Sequence, residues 1–401
     1  MNTVLVFSER MLPTTCTFIP LQVNELQRYS AQYVGLIPAE DRNLPLPQEP
    51  ILLSKYRTRL ARCRRELYRW SGVAPHFHAR IRQVGSRLVH AHFAEGAAPA
   101  VFLSNRLNLP LIMHLRGGAE LMPDSELRSH LFELPYLAYR RQLWQRASVF
   151  LCVSQYIREK AIRAGFPEEK LRVQYTGMNF SAFTPSQPLS EKDPNMVLYV
   201  GRLIPYKGCD YLLRAMQLVR RRRPKAHLMV IGDGHFRASL EQLNRELGVG
   251  ATFLGELPQP TIRLWLERAR VFCAPSVTVE GGMSEAFGNV FSEAQSMGVP
   301  VVSFRHGGIP ETMCEGVTGL LAPERDVDLL AAHLTRYLED DGFWAHSREE
   351  GMRWVRQQFD VRTQTAKLES LYDTVIEQFQ PGSRSQAAAA EQPWAAQPTL
   401  A

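Results

Sequence analysis

The chain has 401 residues, 45% apolar and 22% charged, a length that suits about two globular domains and a composition that excludes a disordered or fibrous protein. Its 6 cysteines are scattered, with no Cys-x-x-Cys pair, which argues against a disulfide scaffold and a thiolate zinc site. The formal charge of +7 is lopsided: residues 1–190 hold 24 Lys and Arg against 14 Asp and Glu, and residues 191–401 hold 23 against 26, so the first half is expected to meet any anionic partner.

Residues 3–7 read as a buried strand, too short for a secretory segment and followed by Glu9 and Arg10, so the protein is expected to stay in the cytoplasm. No apolar run has the length of a membrane span. The loop at 8–16 leaves that strand where doubly wound sheets face their ligands, and a helix is predicted from Phe18. Residues 32–36 form a second strand and the proline-rich 38–50 a loop. The stretch 51–70 then holds Lys55, Arg57, Arg59, Arg62, Arg64, Arg65 and Arg69 against Glu66, with Leu52, Tyr56, Leu60, Leu67 and Tyr68 interleaved at helical spacing. This predicts a basic amphipathic helix, either a face for an anionic membrane or an ordinary helix packing one side on its domain.

Residues 88–93 read as a strand that sets His90 and His92 on one face. With no carboxylate or thiolate beside them, they are expected to line core or crevice rather than a metal. The next strand and its exit loop, 110–118, contain His114 and Arg116. Residues 127–146 are predicted helical with a break at Pro135, 148–153 a strand, and Ser154 the cap of another helix. After a strand at 171–175, residues 181–194 have a linker's composition, and strand–helix alternation restarts at Met196.

In the second half a strand at 196–200 runs into Gly201 and Arg202, and Lys207-Gly208 opens a helix. Arg202 and Lys207 bracket the space above the strand end, a fork and a point charge suited to a diphosphate. The basic run 220–225 reads as that helix's solvated end, not a nucleic-acid tract. Gly232-Asp-Gly234 lacks the third glycine of a dinucleotide fingerprint. Strands predicted at 271–274 and 299–303 enclose a loop with Gly281 and Gly282, then Glu285, a helix opening near Gly288 and Asn289, and Glu293 in its second turn. Free amides at a helix start, with two acceptor carboxylates, suit phosphates and sugar hydroxyls. Asp326 and Asp328 stand at a predicted helix start as capping charges, so no metal is expected there. Helices at 343–359 and 362–379 precede a low-complexity tail, 380–401, expected to be disordered.

The G-R-x-x-x-x-K-G of residues 201–208, the E-x7-E of Glu285 and Glu293, and the Gly-Gly-Ile-Pro-Glu of 307–311 resemble glycosyltransferase family 4, a retaining, nucleotide-sugar-dependent family with the GT-B fold. The resemblance runs from about Leu88 to about Leu338. It implies an α/β protein of two doubly wound, Rossmann-like domains facing a cleft: an acceptor-side domain at 1–185, a donor domain at 195–361, and a C-terminal helix at 362–379 crossing back. It implies that Arg202 and Lys207 neutralise the leaving diphosphate and that Glu293 holds ribose hydroxyls. Glu285, with the backbone around Phe287, Gly288, Asn289 and Val290, is implied to hold the sugar. The leaving phosphate takes the acceptor proton, so no enzymic base and no metal is implied, and the nucleotide diphosphate sugar is a co-substrate.

Two motifs depart from the family. Where members show a His-Gly pair, this chain has Arg116-Gly117, with His114 two residues earlier, so Arg116 or His114 stands in for the imidazole. Where members show a Gly-Gly turn after the first strand, it has Pro-Thr-Thr-Cys-Thr at 13–17. The expected activity is hexosyl transfer to a polysaccharide or lipid-linked saccharide in surface polysaccharide biosynthesis, with the protein peripheral on the inner face of the cytoplasmic membrane through the 55–69 helix and without a nucleic-acid partner. The competing readings are a non-catalytic nucleotide-sugar binder on the same fold and a nucleotide-sugar epimerase, which lacks the paired motifs.

Overall fold

The computed structural model describes residues 2–380 apart from 14–15, 40–43, 45, 94–95, 187–191 and 280–281. Thr14 and Thr15, Gly281 and all of the predicted tail except Gln380 therefore lie outside the described residues.

The first domain alternates β1 (Asn2–Phe7), α1 (Phe18–Asn24), β2 (Tyr29–Gly35), β3 (Ile51–Leu52), α2 (Arg59–Ser71), α3 (Pro75–Arg82), β4 (Ser86–His92), α4 (Ala97–Leu107), β5 (Leu111–Leu115), α5 (Asp124–Ser129), α6 (Leu134–Arg146), β6 (Val149–Cys152), α7 (Gln155–Arg163) and β7 (Leu171–Val173). The strands are parallel, in the order β3-β2-β1-β4-β5-β6-β7. Burial on both faces explains their continuous apolar runs. Alternate side chains part to opposite sides: Val4, Val6, Ile112 and Leu151 join one apolar cluster, while Leu5, Phe7, Met113 and Phe150 join the other. The break foreseen at Pro135 is the start of α6, where a proline's missing N–H is harmless.

The second domain repeats the plan with β8 (Met196–Val200), α8 (Cys209–Arg222), β9 (His227–Ile231), α9 (Arg237–Leu247), β10 (Thr252–Gly255), α10 (Gln259–Arg268), β11 (Val271–Cys273), α11 (Asn289–Ser296), β12 (Val301–Phe304), β13 (Gly319–Ala322), α12 (Val327–Glu339) and α13 (Asp341–Phe359). The parallel order is β10-β9-β8-β11-β12-β13. Each sheet reverses direction once, at β1/β4 and at β8/β11, and ligand crevices of open α/β sheets form beyond the strand ends at such points. Asp326 caps α12 through a 2.9 Å bond from the Leu329 amide, as its position suggested. The basic end of α8 is more tied down than a solvated tip: Arg223 reaches the Leu338 carbonyl and Arg222 pairs with Glu339.

The chain passes between the domains twice. Trp344, early in α13, belongs to the second core, whereas Val355 and Phe359, at its end, belong to the first. A final helix, α14 (Val361–Gln378), packs on α1 and β4. There Glu369 accepts from the amides of Gln27 and Arg28 at 2.9 and 2.7 Å, and Tyr372 meets His90 Nδ1 at 2.6 Å. The two passages touch: Met178 N donates to Phe359 O at 2.7 Å, and Val361 N to Met178 O at 3.0 Å.

The basic stretch differs from its expected form. Residues Ile51–Leu52 are a strand, and the helix begins at Arg59, capped by Thr58. Its inward face is Ala61, Tyr68 and Arg69, with Arg65 nearly covered. Arg65 and Arg69 turn in because Glu9 is buried beside them and the Phe132 ring lies 5.2 and 4.0 Å from their guanidinium carbons. Leu60 and Leu67 are 60% and 61% exposed, as are Tyr56 (76%) and Trp70 (47%), so the helix does not pack this apolar stripe on its own domain. Among the described residues no helix is long and apolar enough to cross a membrane.

Candidate active site

The second domain assembles most of the predicted groups beyond β8 and β11. The turn Pro205–Lys207 ends at Gly208, in the left-handed region at φ 68°. A Cβ there would sit 1.8 Å from the Pro275 carbonyl oxygen, so only glycine lets the turn close against the exit of β11. The Lys207 ammonium thereby meets the Glu285 carboxylate as an ion pair. Both side chains are largely covered, at 18% and 14% exposure. Burial pulls the Lys207 pKa down, but Glu285 outweighs it and the net shift is upward. Arg202 is exposed, donating to the Tyr206 hydroxyl at 3.1 Å.

Glu285 rests on a floor that the motif reading did not foresee. Gly308 N donates to Glu285 O at 2.9 Å, and Cβ atoms on Gly307 and Gly308 would lie 2.2 Å from the carbonyl oxygens of Glu285 and Ala286. The Gly-Gly pair precedes a short 3-10 turn at Ile309–Thr312 and is where one backbone lies directly on another. The amide of Glu285 donates to His306 Nε2 at 3.1 Å, His306 Nδ1 faces Glu324 at 3.0 Å, and Glu324 accepts from Thr278 N at 2.6 Å. His306 and Glu324 also went unforeseen, since only the folded loop joins them.

Beyond Glu285 the chain turns at Gly288 into α11. The Phe287 side chain faces away from the crevice, packed between Tyr175 and Phe359 at 5.6 and 5.2 Å, so only its backbone can serve a ligand. Asn289 and Val290 form the first turn, and Glu293 follows one turn on. The Glu293 carboxylate makes no hydrogen bond to another described residue, and burial raises its pKa to about 7.

The first domain contributes a different chemistry. Parallel register places His92 beside His114, whose rings stack, and His90 stacks on His114 and lies tilted against His92, with ring centroids 4.4 to 5.5 Å apart. Burial holds all three imidazoles below their ordinary pKa, hence neutral. Arg116 Nη2 lies 3.5 and 3.4 Å from Nδ1 of His92 and His114. A guanidinium only donates, so both Nδ1 atoms accept and both protons sit on Nε2. Potential ligand atoms of the three histidines lie within 4.8 Å of one another, but those Nε2 protons and the adjacent cation oppose a metal.

Arg116 is turned back into its own domain, 4.2 Å over the Phe18 ring, and burial lowers its pKa to about 9. Its loop is fixed by Glu120, whose Oε1 accepts from the amides of Arg116, Gly117 and Gly118 at 2.9, 3.0 and 3.1 Å. No described contact joins the His114 or Arg116 side chain to Lys207 or Glu285. The residue of this loop that meets the second domain is Gly117, where a Cβ would come within 3.0 Å of Ala286. Across the same junction Ser154 Oγ donates to Ala286 O at 2.6 Å, the Tyr156 hydroxyl to Ser284 at 2.8 Å, and Lys160 to Gly282 O at 2.9 Å.

Comparison with known proteins covers both halves. The family described as Glycosyltransferase Family 4 matches residues 25–182, and Glycosyl transferases group 1 matches residues 181–354. A GDP-mannose-dependent alpha-(1-6)-phosphatidylinositol monomannoside mannosyltransferase of Mycolicibacterium smegmatis is 31% identical over 242 residues, 58% of this chain and 63% of that protein. The amylovoran biosynthesis glycosyltransferase AmsK of Erwinia amylovora is 32% identical over 211 residues, 52% of each chain. These matches span less than two thirds of either relative's length. Among solved structures, Anabaena Alr3699/HepE in complex with UDP and glucose has a TM-score of 0.72 at 20% identity, over 93% of this chain and 100% of that one. At that identity the likeness concerns the fold, which is GT-B.

Proposed function

The chain belongs to glycosyltransferase family 4, and on that premise we propose that it is a retaining hexosyltransferase. It takes the hexose from a nucleotide diphosphate sugar and delivers it to a polysaccharide or lipid-linked saccharide in surface polysaccharide biosynthesis. The observation that supports this reading most is the meeting of Lys207 with Glu285 beyond β8 and β11, beside the exposed Arg202 and the unpaired Glu293. The diphosphate takes the place of Glu285 on Lys207 and is met by Arg202, releasing Glu285 toward the sugar hydroxyls. The amides at 287–290 face the sugar and phosphate, and Glu293, once ionised, accepts from the ribose. As the glycosidic bond breaks, negative charge builds on the phosphate, and the two cations, Lys207 largely covered and Arg202 exposed, stabilise it. The phosphate takes the acceptor proton on the same face. Arg116 adds positive potential from the acceptor side, with His114 holding its guanidinium, and neither takes a bonding step.

Of the two relatives named above, the one named for a phosphatidylinositol mannoside supports a lipid-linked acceptor at a membrane surface, and the one named for amylovoran biosynthesis supports the polysaccharide reading. In this chain α2 exposes Leu60, Leu67 and Trp70 beside Arg59, Arg62 and Arg64. We assign that face to an anionic bilayer on the cytoplasmic side, with the apolar stripe entering it and the arginines meeting head groups. Co-flotation with phosphatidylglycerol vesicles is expected for the wild type and lost in Leu60→Ser/Leu67→Ser. Equal flotation of both proteins would remove this assignment.

Thermal shift with UDP-, GDP- and ADP-sugars, wild type beside Glu293→Ala, tests the donor site. Stabilisation by one of them that disappears in the variant is the expected result. No shift from any would move the protein to the non-catalytic reading.

A further inference from the structure

The helix α7 belongs to the first domain, yet its N-terminus is completed by the second. Ser154 caps it in the usual way, accepting from Ile157 N at 3.1 Å. Two further first-turn amides, Gln155 N and Tyr156 N, donate to the two carboxylate oxygens of Glu311 at 2.6 and 2.8 Å. The Tyr175 hydroxyl donates to the same carboxylate at 3.0 Å. A bidentate carboxylate on free helix amides is directional and charge-favoured, so it specifies an angle as well as a contact.

Glu311 is also the last residue of Gly-Gly-Ile-Pro-Glu, whose two glycines floor the Glu285–Ala286 backbone. One five-residue stretch thus supports the donor loop from below and grips the first domain with its end. Ser154, Tyr156 and Lys160, all on or beside α7, bond the other side of that loop. The donor loop is held between α7 and the segment that Glu311 fastens to α7.

We propose that Glu311 is a positioning residue, whose carboxylate on the α7 N-terminus sets the angle between the domains and so the approach of the first domain's Gly117 loop to the donor loop. The inference rests on the transferase reading only for its catalytic consequence. The domain angle is measurable without substrate. Cys63 and Cys314 are exposed, one on each domain, while Cys16, Cys152, Cys209 and Cys273 are buried, so the native chain accepts one spin label per domain.

Double electron–electron resonance on the wild type should give one narrow distance, and Glu311→Ala a broadened or displaced distribution. Tyr175→Phe, which removes one of the three bonds, should move it less and in the same direction, and replaces the alanine variant should that one not fold. With the donor found by thermal shift, Glu311→Ala should lower kcat at least tenfold while donor KM stays within twofold, because Lys207, Glu285 and Glu293 all belong to the second domain. An unchanged distance distribution in both variants, or kcat retained, would overturn the proposal. A changed distribution in a protein whose wild type turns over no nucleotide sugar would instead count against the transferase reading and leave the domain latch standing.

Discussion

The two sheets run in the same order outward from their switch points, but their crevice edges are built from different materials. Beyond β8 and β11 the groups are ionic, and their loops lie on one another through glycine. Beyond β4 and β5 the polar groups are buried neutral imidazoles, an arginine folded back on Phe18, and a loop whose amides are already taken by Glu120. Charges left in pairs can exchange partners when a charged ligand arrives. The first domain's imidazoles are neutral and have no ion pair to exchange, and Nε2 of His90 and His114 and Nε of Arg116 are buried without a hydrogen-bond partner among the described residues, so on the proposed reading the donor is bound by the second domain.

That contrast fails or sharpens under four changes. The largest effect is expected from Lys207→Ala, because loss of one contact to developing charge is worth about 3–4 kcal/mol, or roughly 10²–10³ in kcat. Single-turnover transfer with circular dichroism on the same sample checks it, and a fold-intact variant with near-normal turnover would end the ionic account.

Glu293→Gln comes next, with opposite effects on stability and binding. The native carboxyl titrates near 7 and an unfolded one near about 4.3, so between those values only the native state keeps the proton. Stability from this group is therefore lost as pH rises through that window, and the deficit persists above it. The glutamine variant escapes the deficit and should be more stable than wild type at pH 8, on the order of 2 kcal/mol, with a smaller gain at pH 5. Urea unfolding at both values reads this out, while the donor-induced thermal shift should vanish.

In the first domain, Tyr372→Phe leaves His90 Nδ1 buried without its partner and should cost about 1–2 kcal/mol, seen as a lower Tm with donor affinity unchanged. The smallest effect belongs to Asp326→Ala, a lost helix cap worth about 1 kcal/mol. If donor affinity moved with Tyr372→Phe, the division of labour between the domains would be wrong.

Much of the donor half was legible because its signals are local. A strand followed by Gly201-Arg202 and Lys207-Gly208, and two glutamates astride a helix start, fix their own surroundings within a few residues. The long apolar runs likewise announced parallel strands. What stayed hidden depended on partners distant in the chain. Arg65 and Arg69 turn inward because Glu9 is buried beneath them, which leaves Leu60 and Leu67 outside, a choice between two forms that the helical pattern alone left open. His114 joins His90 and His92 through strand register. The Phe287 side chain packs between Tyr175 and Phe359, partners distant in the chain, while its backbone stays in the proposed sugar-binding loop. Gly307 and Gly308 are explained by the carbonyls of a loop some twenty residues earlier.

The paired passage at Met178 and Val361 limits how this protein can move. Two domains joined by one flexible cord would tumble, slide and twist. Here the outgoing and returning chains are stitched together where they cross, and α14 is sewn into the far side of the first sheet. The junction is a double seam: the Met178–Phe359 and Val361–Met178 bonds tie the crossing chains, and Ser154, Tyr156, Lys160 and Glu311 tie the facing loops. Topologically the second domain is an insert in the first, entered and left through one stitched crossing.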